Sequence, residues 1–384
     1  MTTNRVPLSV LDLVLTSEGD SVATTLEHSV DLARRVEEFG YGRYWLAEHH
    51  LFPGGAGAAS YLLAPVLARE TTSIRLGTAV LIIDNYSPLH VAEIAGTIAE
   101  LGGRGFDLGV GRAGPSPEQR AKSRDNNARI AAGEVAIGPV KPSREIDGVT
   151  IPSFSVTRFN DTRAALNERL LARSPGAPAD FEGQVRDVLG FIEGDYPAEE
   201  GVEVVASPAH GADVDVWVHG SSPGLSASVA GSLGLPFGAN YHNFPQLIVE
   251  TVAAYRAAFV PSVRLQKPHV IVSVDVLVAE TDEEAARIGS PFAPWMYIVR
   301  EEYAARPFLS PEAAAEFPWD EERQATVADR LESRVVGSPE TVVRRLAALA
   351  ALTGADELLV TTTAHSHDDR VNSYRLLAEA WARA

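Results

Sequence analysis

Glu48-His49-His50 sets a carboxylate and two imidazoles side by side, directly after the apolar run Tyr44-Trp45-Leu46-Ala47. These are the side chains of proton transfer near neutral pH: imidazole titrates there unaided, and a carboxylate can fix its tautomer. The apolar run reads as a strand buried on both faces of a parallel sheet, and such a strand needs no ionisable group. In parallel α/β folds, ligands bind at the carboxyl ends of the strands. The three groups stand where a site belongs, although polar residues at the rim of a core also take this form. Two imidazoles, with His365 and His367 further on, raise the alternative of a metal in a hydrolase barrel. Consecutive strand residues point to opposite faces, so His49 and His50 make poor joint ligands, and no metal site is assigned.

A second pattern concerns anions. Gly220-Ser221-Ser222-Pro223-Gly224 is a small, glycine-flanked turn ahead of a helix expected to begin near Leu225. Such a turn offers free backbone amides to a phosphate, and the hydroxyls add donors. Arg112, at the end of another expected strand, could pair with the same anion. An ordinary helix cap uses the same residue types. Gly77-Thr78-Ala79-Val80 is a small-residue patch in a strand, where either a flat ring or a packed helix can approach closely. Further polar groups at strand ends are Asp12, Asp84, Asn85, Tyr241, His242 and Thr361 to Thr363.

The elements that must position these groups alternate. Strands are expected at Leu8–Val14, Tyr44–Ala47, Ile74–Ile83, Phe106–Val110, Val214–His219, Pro236–Ala239, His269–Val278 and Glu357–Val360, each followed by helical periodicity. Eight βα units favour a closed (β/α)8 TIM barrel over an open doubly wound sheet. Gly109-Val110-Gly111-Arg112-Ala113-Gly114 superficially resembles a dinucleotide loop, but it follows the fourth strand and opens no immediate helix. Insertions fall after strands 4 and 7. The first, at about 115–178, is polar and rich in Pro and Gly, with part of a hairpin at Gly148–Thr157, and is a lid candidate. No domain boundary interrupts 1–384.

Composition narrows the classes. The 384 residues are 45% hydrophobic and carry 33 basic against 51 acidic side chains, a net charge of −18. That argues against a nucleic-acid surface. No apolar run approaches the roughly 20 residues that span a bilayer, and Met1 to Pro7 has no apolar signal segment. There is no Cys, which excludes disulfides and thiolate chemistry and is compatible with a cytoplasmic location.

The ordered motifs Arg43-Tyr44-Trp45-Leu46-Ala47-Glu48-His49-His50, Ile74-Arg75-Leu76-Gly77-Thr78-Ala79, His90-Val91-Ala92-Glu93, Gly105-Phe106-Asp107-Leu108-Gly109-Val110-Gly111-Arg112, Val216-Trp217-Val218-His219-Gly220-Ser221-Ser222, Leu233-Gly234-Leu235-Pro236-Phe237 and Gly337-Ser338-Pro339-Glu340 resemble the bacterial luciferase-like flavin monooxygenases. The resemblance covers nearly the whole chain except about 115–178. It implies a TIM barrel that takes reduced FMN (FMNH2) at its C-terminal face, a flavin reductase that supplies it, and O2 activation through a C4a-peroxyflavin to oxygenate a small organic substrate. It implies that His49 supports the proton transfers, flanked by Glu48 and His50. Thr78 and Ala79 would lie against the flavin ring, often through a strained or cis peptide. Arg112, Gly220, Ser221 and Ser222 would hold the phosphate, with Arg129 or Arg163 as a second phosphate arginine. A homodimer is implied on the same ground.

In this reading Glu48 or a backbone carbonyl fixes the His49 tautomer, and Trp45, Phe237 and Tyr241 are candidates to line an apolar substrate pocket, although each of these residue types is more often core. Two alternatives share the fold: a coenzyme F420-dependent oxidoreductase that transfers hydride without O2, and a non-catalytic flavin-binding subunit. The paired His of Glu48-His49-His50 lies closer to the FMN branch.

Overall fold

The computed structural model describes residues 5–112, 117–158, 161–171, 180–197, 201–302 and 306–384. Eight parallel strands form the frame: β1 (Leu8–Asp12), β2 (Arg43–Leu46), β3 (Arg75–Thr78), β4 (Phe106–Gly111), β5 (Val214–Gly220), β6 (Phe237–Asn240), β7 (Val270–Val278) and β8 (Glu357–Thr361). Each pairs with the next, β8 pairs back onto β1, and the β4–β5 register runs from Phe106 opposite Val214 to Val110 opposite Val218. The sheet is therefore a closed barrel with no free edge, as the eight βα units imply.

Strand parity decides what each residue faces. In β5, Val214, Val216 and Val218 pack outward in the core shared with the helices, while Trp217 belongs to an inner cluster with Leu11, Trp45, Ala47, Ile271 and Leu359. Two tryptophans fit inside because Gly77 stands beside Trp45: a Cβ there would lie 2.6 Å from the indole. Below this layer Asp107 accepts from Arg43, Arg75 and Trp45. Above it, toward the strand carboxyl ends, the small residues Ala47 and Ala79 leave a shallow floor under the mouth.

Two expectations are corrected. The third strand does not run unbroken from Ile74 to Ile83. It ends at Thr78, the Ala79–Val80 peptide is cis, and Leu81–Ile82 pairs separately with the end of β4. Hydropathy is apolar through both pieces, so the redirection is invisible to it. The insertion after β4 is also more regular than its composition suggests. It holds helices Pro117–Ala131 and Asp161–Leu170 and a hairpin, Arg144–Ile146 against Val149–Ile151. Gly148 is the hairpin's turn and not its edge: Asp147 and Gly148 both have positive φ, +49° and +80°, as a tight two-residue hairpin turn requires. The helix Pro117–Ala131 carries no apolar stripe and so gives no periodic signal.

The insertion after β7 also covers the mouth. Phe292, Trp295, Met296, Phe308 and Val327 cluster with Leu15 and Phe52 from the loops after β1 and β2, and the Phe308 amide donates to Thr16 O at 2.7 Å. Among the described residues no helix is long and apolar enough to cross a membrane.

Candidate functional site at the barrel mouth

Glu48 leaves β2 into a fully buried position and is ringed by donors. His50 Nε2 lies 2.5 Å from Oε1, Asn85 Nδ2 and Tyr86 OH each donate to Oε1 at 3.2 Å, and the Ile82 amide donates to Oε2 at 3.1 Å. One carboxylate thus ties the end of β2 to the 82–86 segment that follows the cis peptide. The expected pairing of Glu48 with His49 is not found: alternation turns His49 the other way, and the carboxylate meets His50. Burial, then the Glu48 charge, pushes the Tyr86 phenol well above its ordinary range, so Tyr86 remains a donor.

His49 faces the barrel mouth. Its Nδ1 is buried without a partner among the described residues, and its ring lies 5.5 Å from that of Phe52. Burial, with His50 acting in the same direction and the Leu13 backbone against it, lowers its pKa below the ordinary 6.5. A neutral imidazole with a free ring nitrogen can accept or pass a proton.

Two more imidazoles share this end of the barrel. His219 follows the inward parity of Trp217, is 6% exposed and has a buried, unpartnered Nε2. Its ring fits because β6 carries Gly238, where a Cβ would lie 2.3 Å from Nδ1. Burial alone drives its pKa to about 3. His242 follows β6. Arg330 donates to Asn243 Oδ1, so the Asn243 amide nitrogen faces His242 Nε2 at 2.9 Å. The imidazole Nε2 must accept from that amide, and Nδ1 then carries the proton toward Ser273 Oγ at 2.6 Å. The neutral tautomer agrees with a pKa lowered to about 3 by burial and then by Arg330.

A pH dependence follows. Unfolded, both imidazoles return to the ordinary 6.5. Between that value and about 3 the unfolded chain binds more protons than the folded one, so stability present at neutral pH is lost as pH falls. Urea midpoints should drop between about pH 7 and about pH 5, and His219→Leu should flatten that drop. Equal slopes for the variant and the parent would remove His219 from the account.

The residues that the resemblance assigns to a flavin lie at the ends of β3, β4 and β5 and on the insertion after β4. Ala79 is half-buried at the rim, and Thr78 is locked beneath it by a 3.0 Å bond from its hydroxyl to Gly109 O. Arg112 is exposed at the end of β4. Gly220, Ser221 and Ser222 end β5, and the helix Leu225–Ser232 begins at Gly224 with no side-chain cap, which leaves its first-turn amides for another acceptor. Arg129 projects from an exposed helix, 3.7 Å from Glu134. Arg163 lies on the helix Asp161–Leu170, and its side chain is outside the described residues.

Other expected site residues are structural. Asp12 accepts from Tyr44 OH and Arg370, both at 2.5 Å, on the outside of the barrel. Trp45 is sealed inside the barrel against Trp217. Phe237 stacks outward on Tyr255, and Tyr241 is buried with its hydroxyl on Thr150 O. These three are core and do not line a substrate pocket. His367 pairs with Asp31 and stacks on His28, and His365 meets Glu18 O. No metal-ligating group of three or more His, Cys, Asp or Glu occurs among the described residues. His219 is absent from the sequence-derived candidates, although inward parity with Asp215 and Trp217 could have found it. Arg330 lies on a polar helix far along the chain, and nothing local marks it.

The model of the luciferase-like monooxygenase family matches residues 7–134 and 155–357. The Bacillus subtilis protein YvbT is 32% identical over 375 residues, covering 97% of this chain and 96% of that one. A luciferase-like monooxygenase of Escherichia coli K12 is 30% identical over 377 residues, covering 98% and 97%. The crystal structure of apo-MsnO8 superposes with a TM-score of 0.77 at 30% identity, covering 99% of this chain and 98% of the other.

Proposed function

Because the chain belongs to the luciferase-like monooxygenase family, whose chemistry is flavin-dependent, we propose that it is the oxygenase of a two-component system. It would use reduced FMN and O2 to oxygenate a small organic substrate, with a flavin reductase as supplier. The observation that carries this reading is His49: a half-buried imidazole whose buried Nδ1 has no partner among the described residues, with a lowered pKa, at the mouth of the barrel.

The residues present fit FMN. The uncapped helix after Gly220-Ser221-Ser222, with Arg112, supports a phosphate on the β4–β5 side, and Arg163 or Arg129 would be the second phosphate arginine. Thr78 and Ala79 form a small-residue rim against which a flat ring can rest. Reduced flavin, when bound, supplies the electrons that activate O2. The chain's own residues do the rest. His49 holds or moves the proton at its free nitrogen. Glu48 positions His50 and the 82–86 segment. The two insertions keep water from the mouth. Val66 and Leu62 on the helix Ser60–Glu70 are 47% and 65% exposed, which suits burial in the proposed homodimer. In this reading residues 1–384 act as one catalytic unit in the cytoplasm.

Anaerobic titration with reduced FMN and with reduced F420, followed by rapid mixing with O2, tests this directly. Selective binding of reduced FMN and an oxygen-dependent absorbance transient are expected. Selective F420 binding with no response to O2 would move the chain to hydride transfer. FMN binding without oxygenation of any substrate would make it a non-catalytic subunit.

A further inference from the structure

The insertion after β7 holds a cluster of arginines whose charges are not all matched. Arg300 forms a two-point pair with Asp329, at 2.7 and 3.0 Å, and Gln246 also donates to that carboxylate. Arg334 Nε donates to Asp275 at 3.0 Å, and its guanidinium lies over the Phe292 ring. Both local aspartates are therefore committed. Arg330 is left with neutral acceptors, the His242 carbonyl and the Asn243 side-chain oxygen, and its Nε is buried with no partner among the described residues.

A guanidinium held by neutral groups in a buried setting is an incomplete pair, because removing a charge from water is offset only by an opposite charge or a full set of acceptors. Burial, then Arg300, lower its pKa to about 10 against the opposing charges of Asp329 and Asp275, neither of which bonds to it, and it remains a cation at neutral pH. Its position is defined by the barrel. Asn240 of β6 is in register with Ser273 of β7, the His242 amide donates to Ser273 O at 3.0 Å, and Arg330 grips the His242 carbonyl. His242 in turn is close enough to His49 and His219 for protonation of any one to oppose that of the others. Arg330 thus stands behind the rim on the β6–β7 side, whereas Arg112 and the Ser221 turn stand at β4 and β5. The nearby imidazoles bring no charge of their own at neutral pH, and Glu48 is engaged with His50 and the 82–86 segment.

We propose that Arg330 anchors an anionic group, a carboxylate, of the organic substrate. The inference deepens the monooxygenase reading and rests on it. The planar guanidinium is fixed by two acceptors before any ligand arrives, so little side-chain entropy remains to be lost when a carboxylate docks. The enzyme would take organic acids and discriminate against their neutral analogues.

The test is calorimetric titration of the FMN-loaded protein with hexanoate, octanoate and phenylacetate, each beside its amide. In the parent protein a carboxylate should bind at least about tenfold more tightly than its amide. Arg330→Gln should abolish that preference, and Arg330→Lys, which keeps the charge without the fork, should retain part of it. Equal binding of acid and amide, no binding of any acid, or a full preference in Arg330→Gln overturns the proposal. Should Arg330→Gln fail to fold, Arg330→Lys decides: a weakened preference supports the anchor, and an unchanged or absent one overturns it. FMN and riboflavin are titrated separately into the unloaded proteins. Loss of FMN affinity relative to riboflavin in Arg330→Gln would assign the arginine to the cofactor phosphate and overturn the substrate role. Failure of FMN to bind the parent, with acids still preferred through Arg330, would sink the flavin reading and leave the anion site standing.

Discussion

Replacing His49 with alanine should leave FMN binding intact and lower substrate oxygenation by about 100- to 10,000-fold, the range expected for loss of a positioned proton-transfer group. The imidazole meets the Leu13 backbone, but its Nδ1 has no partner among the described residues, whereas His50 is tied to Glu48. Electrons delivered by reduced FMN should then appear as H2O2 and not as product, so both are quantified per reduced flavin consumed. The pH profile supplies a second readout. Because the His49 pKa lies below 6.5, the acid limb of oxygenation in the parent protein should fall below that value and vanish from the residual activity of the variant. Wild-type oxygenation by His49→Ala would remove the residue from the mechanism.

Asp107→Ala should be strongly destabilising, costing about 3–5 kcal/mol, because it removes a buried carboxylate shared by two partly buried arginines and the Trp45 indole. Asp107 is fully buried below the tryptophan layer. It accepts from Arg75 Nε at 2.6 Å, Arg43 at 2.5 Å and the Trp45 indole at 2.9 Å. Arg43 still has Glu357, and Arg75 still has Asp213 and Asp215, but the indole N–H is left unsatisfied. Desolvation alone would push the Arg43 pKa down, and Asp107 and Glu357 together reverse that. Asp107→Asn keeps an acceptor and should cost less. Urea unfolding with an unchanged m-value measures both. A loss below about 1 kcal/mol in Asp107→Ala would show that the barrel floor relaxes around the vacancy.

The barrel was legible in the sequence because parallel strands buried on both faces are short apolar runs, and each of the eight is followed by helical periodicity. Glu48, His49 and His50 were legible for the same reason: ionisable residues at the end of such a run contradict its burial. The break after Thr78 left no hydropathy mark, and only the family resemblance pointed to a strained or cis peptide there, where the Ala79–Val80 bond is cis. The helix Pro117–Ala131 was missed because it lacks an apolar stripe. Trp45, Phe237 and Tyr241 stood between pocket and core because an aromatic residue near a strand end reads alike whether it faces the mouth, the barrel interior or the helices.

By itself, then, the sequence determined the architecture, the strand ends that carry ionisable groups and the family resemblance, all of which depend on local periodicity and on the order of short motifs. Tertiary structure alone decided the partnerships. Glu48 holds His50, His219 enters the barrel because Gly238 faces it, and Arg330 reaches His242 from 88 residues away in the chain. Pairings of that kind depend on which side chains closure of the barrel brings together, and no spacing within a single segment encodes them.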